Sequence, residues 1–313
     1  MYSLVEMLRY KRPEGSQTQR DFCKRFLEPH FGMPDTHGNY VLVLGDEPRL
    51  CFTAHHDTVH KTEGMQKLVV TNNVVSIADS TVSSCLGADC TTGIWLMINM
   101  IEAGINATYV VHAGEEIGCI GSSNLVKDDP AWLRHTDAVI SFDRYGDKSI
   151  ITHQMGMRTA SDEFAKSFSM ALDMPQLRAD NTGSYTDSNE YAYLISECTN
   201  ISVGYYGQHG VNETQDLDYA DLLSERLLNA DWNTIIIARD TSLIEDLYHE
   251  EKYAYKPYDK HELDDMRMLL EDHPEAIAKL LLEYGFSKDV MLEEAHIQYD
   301  DYFWDNYASK RYM

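Results

Sequence analysis

Four short apolar runs in this chain each lead into a histidine or an acid, and that pairing constrains the fold more than any other feature. Leu50 to Ala54 runs into His55, Ala107 to His112 into Glu115 and Glu116, Ala138 to Phe142 into Asp143, and Ile201 to Tyr205 into His209. Short apolar runs bounded by polar turn residues read as strands. Helical patterns fall between them. Such a succession builds an α/β sheet covered on both faces, three layers around a mostly parallel, mixed central sheet. Open sheets of that class bind ligands just beyond strand ends, where these acids and histidines lie.

The remaining elements follow the same reading. Thr18 to Glu28 is a helical pattern with Thr18 as N-cap and Pro29 as its stop. Asn39 to Leu44 is a strand, and Lys67–Val70 with Val74–Ala78 form a hairpin around Asn72-Asn73. Thr91 to Ala103 is an apolar helix closed by Gly104, and Gly121 to Val126 a short helix. Ser149 to His153 adds a strand, Ser161 to Leu172 a helix capped by Ser161, Asp187 to Ile195 another, and Tyr219 to Ile237 a long amphipathic one. Past residue 240 the texture changes. Asp259–Leu270 and Pro274–Tyr284 read as helices, and Ile297–Tyr312 is rich in Tyr, Asp, Phe and Trp. The expected division is residues 1–240 carrying the site, and 241–313 as an acidic, aromatic-rich helical C-terminal extension packed on the core or at an interface.

Composition excludes some functions. Fifty-one acids against 26 Lys plus Arg give a formal charge of −25, a field that repels phosphate backbones, so no nucleic-acid partner is expected. No apolar run approaches a membrane span, and Met1 to Lys11 lacks the pattern of a secretory signal, so no membrane partner and a cytoplasmic location are expected. Six cysteines without close paired spacing read as buried thiols, not as a disulfide framework.

The acids and histidines are the types that divalent metals use. His55 and Asp57 sit two apart on extended backbone, so both can face one site while His56 points elsewhere. Asp89, in Leu86-Gly87-Ala88-Asp89-Cys90, stands on a Gly-flanked loop before a helix, where it reads either as an N-cap or as a carboxylate spanning two ions. Adjacent Glu115 and Glu116 repel each other unless a cation or solvent intervenes, so a solvated turn and a metal site are both open readings. Taken singly, Asp143 beside Arg144 reads as a loop acid and His209 as a loop histidine. Together, His55, Asp89, Glu116, Asp143 and His209 make a five-ligand set.

In this order the motifs His-x-Asp-x-Val, Gly-x-Asp before a helix, Glu-Glu-x-Gly, a strand-end Asp and a late His resemble the co-catalytic zinc exopeptidases, the M28, M20 and M42 families, over residues 36 to about 240. The 66 residues from Asp143 to His209 leave no room for an M20 lid, and the span from Val59 to Asp89 none for an M42 insert, so the layout is nearest the lid-less M28 aminopeptidases. The resemblance implies a zinc peptidase fold with two divalent ions, zinc first among them. His55 and Asp143 would bind one ion, Glu116 and His209 the second, and Asp89 would bridge. Asp57 would hold the ring of His55, and Glu115 would be the general base toward a water that attacks a peptide carbonyl. The expected activity is aminopeptidase, on a peptide or small amide substrate and possible as a homo-oligomer. The alternative is an M20-like deacylase, dipeptidase or carboxypeptidase, for which Arg144, Arg158 or Arg178 would grip a substrate carboxylate. Thr186-Asp187-Ser188 resembles an Asp-bearing segment of M28 and M42 enzymes, either lining the pocket or capping a helix. Cys90 stands where many relatives carry Asp or Asn.

Overall fold

Three of the four apolar runs become strands of one central sheet, and the fourth overlaps another of its strands by two residues. In the computed structural model, which describes residues 2–241, 268–270 and 273–283, the chain divides into two units, Met1–Leu247 and Tyr248–Met313. The first holds a seven-stranded sheet. From edge to edge its strands are Arg178–Asp180, Ser149–Ile151, Glu197–Ser202, Ala138–Arg144, Leu50–His55, Ala107–His112 and Tyr40–Leu44. The four central strands, from Glu197–Ser202 to Ala107–His112, run parallel. Tyr40–Leu44 joins antiparallel at one end, and Ser149–Ile151 pairs antiparallel with Glu197–Ser202 at the other. The fold is the three-layer α/β/α arrangement with a mostly parallel, mixed sheet.

Three of the central strands are buried along their whole length and Ala138–Arg144 at every residue but Asp143, as strands sandwiched between helices must be. One core packs Phe52, Tyr109, Ile140 and Phe142 against helix Ala88–Glu102, helix Asp162–Ala171 and helix Leu217–Asn229. A smaller one gathers Cys51, Val110, Val139, Tyr191 and Cys198. All six cysteines are free and buried. No described helix is long and apolar enough to cross a membrane.

The hairpin forms as expected, Leu68–Thr71 against Val74–Ile77, with Asn72 and Asn73 at φ 50° and 60°. Ser161 caps its helix by accepting the Phe164 N–H at 3.0 Å. Gly104, at φ 75°, follows the end of helix Ala88–Glu102.

Other boundaries moved. The first helical stretch is capped by Ser16, which accepts the Gln19 N–H, and not by Thr18. Pro29 does not stop it. The chain passes through a π-turn at Cys23–Leu27 and Pro29 opens the last turn, Glu28–Phe31, where its missing N–H is no loss. The expected strand Ile201–Tyr205 is Glu197–Ser202, because its buried polar residues are paired: Glu197 accepts from Ser161, Ala238 and Arg239. The helix expected over Asp187–Ile195 is one turn, Asp187–Glu190. The long helix ends at Asn229, where Ala230 turns extended and Asp231 caps a separate short turn, Trp232–Thr234. In the second unit, helix Pro274–Glu283 opens on its proline as expected. Most of Asp259–Leu270, and all of Ile297–Tyr312, lie outside the described residues.

Candidate metal centre

Each candidate residue is delivered by a strand end or by a loop that a strand or helix fixes. His55 is the last residue of the central strand Leu50–His55 and is fully buried. Its neighbour strand ends at His112, and the turn after it carries Glu115 and Glu116. Asp143 lies near the end of Ala138–Arg144 on the other side. Asp89 stands at the irregular start of the helix Ala88–Glu102, where the Asp89–Cys90 peptide is cis. His209 sits at φ 60° in a hairpin loop closed by the pairing of Tyr206 with Thr214.

These side chains converge. His55 Nε2 lies 3.0 Å from Asp89 Oδ1, 3.3 Å from Asp143 Oδ1 and 4.0 Å from Glu115 Oε2. His209 Nε2 lies 3.2 Å from both Asp89 Oδ2 and Glu116 Oε2. The two oxygens of Asp89 thus face two different histidines, each with a further carboxylate. Glu116 and Asp143 keep only 7% and 8% of their side chains exposed, whereas His209 keeps 49%. His56 turns away, as the strand geometry required, toward Gln19 and the Gly38 carbonyl.

Asp57 does more than the sequence suggested. The His55 Nδ1–H faces the Asp57 backbone carbonyl at 3.2 Å, with the Asp57 carboxylate 3.4 Å away. That carboxylate also accepts the backbone N–H groups of Glu115 and Glu116, at 3.2 and 3.0 Å. It fixes the turn carrying both glutamates as well as the histidine ring.

Charge crowding is severe. Burial, with repulsion from Asp143, Asp187 and Asp89 on Glu115 and from Asp89 and Glu115 on Glu116, pushes both glutamates well above the ordinary carboxylate range, and burial beside Asp89 lifts Asp143 to about 6. Burial likewise lifts Asp187 to about 8. Burial also works against charge on Asp89, yet hydrogen bonds from His209 and His55 draw it well below its usual value. Two buried carboxylate oxygens, Glu116 Oε1 and Asp143 Oδ1, have no hydrogen-bond partner among the described residues, although His55 Nε2 approaches Asp143 Oδ1 to 3.3 Å. One lies on each side of Asp89. A divalent cation on each side would satisfy them and offset the repulsion, so this set of imidazoles and carboxylates fits such ions.

Some neighbours take other roles. Cys90 Sγ, near His55 and Asp143, donates to the Phe142 carbonyl at 3.0 Å and packs against the strand. Asp187 accepts from the Ser122 hydroxyl at 2.6 Å, and Thr186 donates to Asp143 Oδ2 at 2.8 Å. Arg144 is buried, with its guanidinium on Thr182 at 3.0 Å and over the Tyr145 ring at 4.2 Å, so it is not free to clamp a substrate carboxylate. Arg158 is paired with Asp162 at 3.1 Å.

Two residues near the centre went unread in the sequence. Glu213 is buried and accepts from backbone N–H groups of the loop that carries Asp89. The fully buried Arg12 donates to the His56 carbonyl and to the Thr91 hydroxyl, both at 2.9 Å. Glu213 carried a signal, its place four residues beyond His209; Arg12 carried none.

Residues 39–191 match the model of peptidase family M28. No curated protein matches the chain in sequence. Among solved structures the fold is similar to aminopeptidase PepT from Bacillus cereus, at 14% identity and a TM-score of 0.59, covering 72% of this chain and 95% of that one. A tripeptidase from Staphylococcus aureus gives 14% and 0.57 over 72% and 95%. The TET1 peptidase of Pyrococcus horikoshii, which can assemble into a tetrahedron or a large octahedral shell, gives 15% and 0.51 over 73% and 100%. At these identities the likeness is one of fold. Motif order, family match and fold point the same way: residues 39–191 match the M28 peptidase model, and the fold around them is similar to that of an aminopeptidase and a tripeptidase.

Proposed function

We propose that this protein is a metal-dependent aminopeptidase that removes residues from the free N-terminus of a peptide. The observation that carries the reading is Asp89, whose two carboxylate oxygens face His55 with Asp143 on one side and His209 with Glu116 on the other. These five residues would hold two divalent ions, zinc first among them. When bound, the ions would lower the pKa of water and polarise the substrate carbonyl. Glu115, 4.0 Å from His55 and bonded to neither half, is free to take a proton from the attacking water and return it to the leaving amine. Asp57 holds that glutamate's backbone in place. The surplus of carboxylates suits a cationic amino terminus. Of the three candidate carboxylate clamps, Arg144 and Arg158 are engaged elsewhere and Arg178 is on the edge strand, four strands across the sheet from His55, which favours an aminopeptidase over a carboxypeptidase.

Paired peptides, N-terminally free and N-acetylated, test this. Only the free peptide should be cleaved; equal cleavage of both would reject the aminopeptidase and leave the amidohydrolase alternative.

We also propose residues 1–240 as the catalytic domain and 241–313 as an extension packed on it or at an interface between copies. A homo-oligomer is in keeping with the shells that the similar TET1 peptidase forms. Six unpaired, buried thiols suit the cytoplasm.

A further inference from the structure

The loop Leu86–Asp89 offers four consecutive backbone N–H groups to a single carboxylate. Glu213 Oε2 accepts from Leu86 and Gly87 at 2.8 and 2.9 Å, and Oε1 from Ala88 and Asp89 at 2.8 and 3.3 Å. Gly87, at φ 75°, supplies the left-handed bend that lets the donors converge. The side chain is buried, 1% exposed for the residue. Burying a lone carboxylate is costly, and these donors offset the cost.

The position matters as much as the bonds. Glu213 closes the hairpin loop that carries His209, with its own N–H on the Gly210 carbonyl at 3.1 Å. His209 itself touches only Asp89 and Glu116 among the residues of the cluster. One strut, from the base of the His209 loop to the Asp89 loop, therefore sets the distance between a terminal candidate ligand and the candidate bridge. Neither Glu213 nor His209 lies within residues 39–191, which match the family model.

We infer that Glu213 is a positioning residue that sets the affinity of the His209–Glu116 half of the centre by locking the Asp89 and His209 loops together. The inference rests on the two-ion reading above. With Glu213 shortened, a small free carboxylate can occupy the same four donors but cannot tie the two loops.

The experiment uses full-length chain stripped of metal and titrated with zinc alone, reading ions bound per chain and their affinities. Wild type should take up two. Glu213→Ala should keep the first and bind the second at least about tenfold more weakly, the low end for loss of a partner that orients a ligand. Formate should not restore the second ion, because a free carboxylate fills the nest without joining the two loops. Glu213→Gln provides a shape-conserving second variant should the alanine chain not fold. Its amide turns donors toward two of the four N–H groups and should weaken the second ion as well. A folded variant with wild-type affinity for both ions, or a loss that formate repairs, overturns this inference alone. A wild type that takes up a single ion overturns the two-ion reading and this inference with it.

Discussion

At the residue scale, proximity and role separate cleanly in the two adjacent glutamates. Glu116 faces His209, while Glu115 approaches His55 without bonding to either half of the cluster. Glu115→Gln is therefore expected to keep its metal content and lose about 10²- to 10⁴-fold in kcat, read by metal analysis beside turnover. His60 is buried and neutral. Its Nδ1 accepts from the Thr58 hydroxyl at 2.7 Å, whose oxygen already takes the Arg12 N–H. Burial, with the positive Arg12 nearby, lowers the His60 pKa from 6.5 to about 4. The folded state thus refuses a proton that the unfolded chain accepts. The stability this contributes is complete above pH 6.5 and drains away as pH falls through 4. Across that window the wild type should lose up to roughly 3 kcal/mol of its margin over His60→Gln, measured by chemical unfolding at each pH.

At the scale of elements, the strands were legible because parallel strands buried on both faces are written in continuous apolar residues, as Ala107–His112 and Ala138–Phe142 are. The candidate ligands were legible because strand ends and glycines punctuate them. What stayed hidden was polar structure satisfied by distant partners. Glu197 looks like a surface acid and is the buried acceptor for Ser161, Ala238 and Arg239, so its strand was read four residues late. Asp57 was read as a partner of His55, and its grip on two backbone N–H groups 58 and 59 residues away had no local trace. A Cβ on Gly93 would sit 2.3 Å from the Phe142 carbonyl and 2.7 Å from Cys90 Sγ. Gly93→Ala should thus cost about 1–3 kcal/mol in urea unfolding and weaken metal uptake, since the neighbours it displaces adjoin Asp143 and Asp89.

At the scale of the whole molecule, the segment before residue 240 is tied down firmly. The Arg239 guanidinium donates to the carbonyls of Ala192, Ile195 and Ser196 at 2.7 to 3.0 Å. A chain ended at residue 240 keeps that anchor and should retain metal uptake and turnover. Light scattering of it beside the full-length protein then reads what 241–313 adds to assembly; loss of metal uptake on truncation would reject the proposed boundary. One feature of the centre reaches beyond its chemistry. His55 is shut inside the sheet, whereas half of the His209 side chain stands in water. Of the two candidate histidines only His209 meets solvent, so a substrate of the proposed activity would reach the centre from the His209 side and cover that imidazole first.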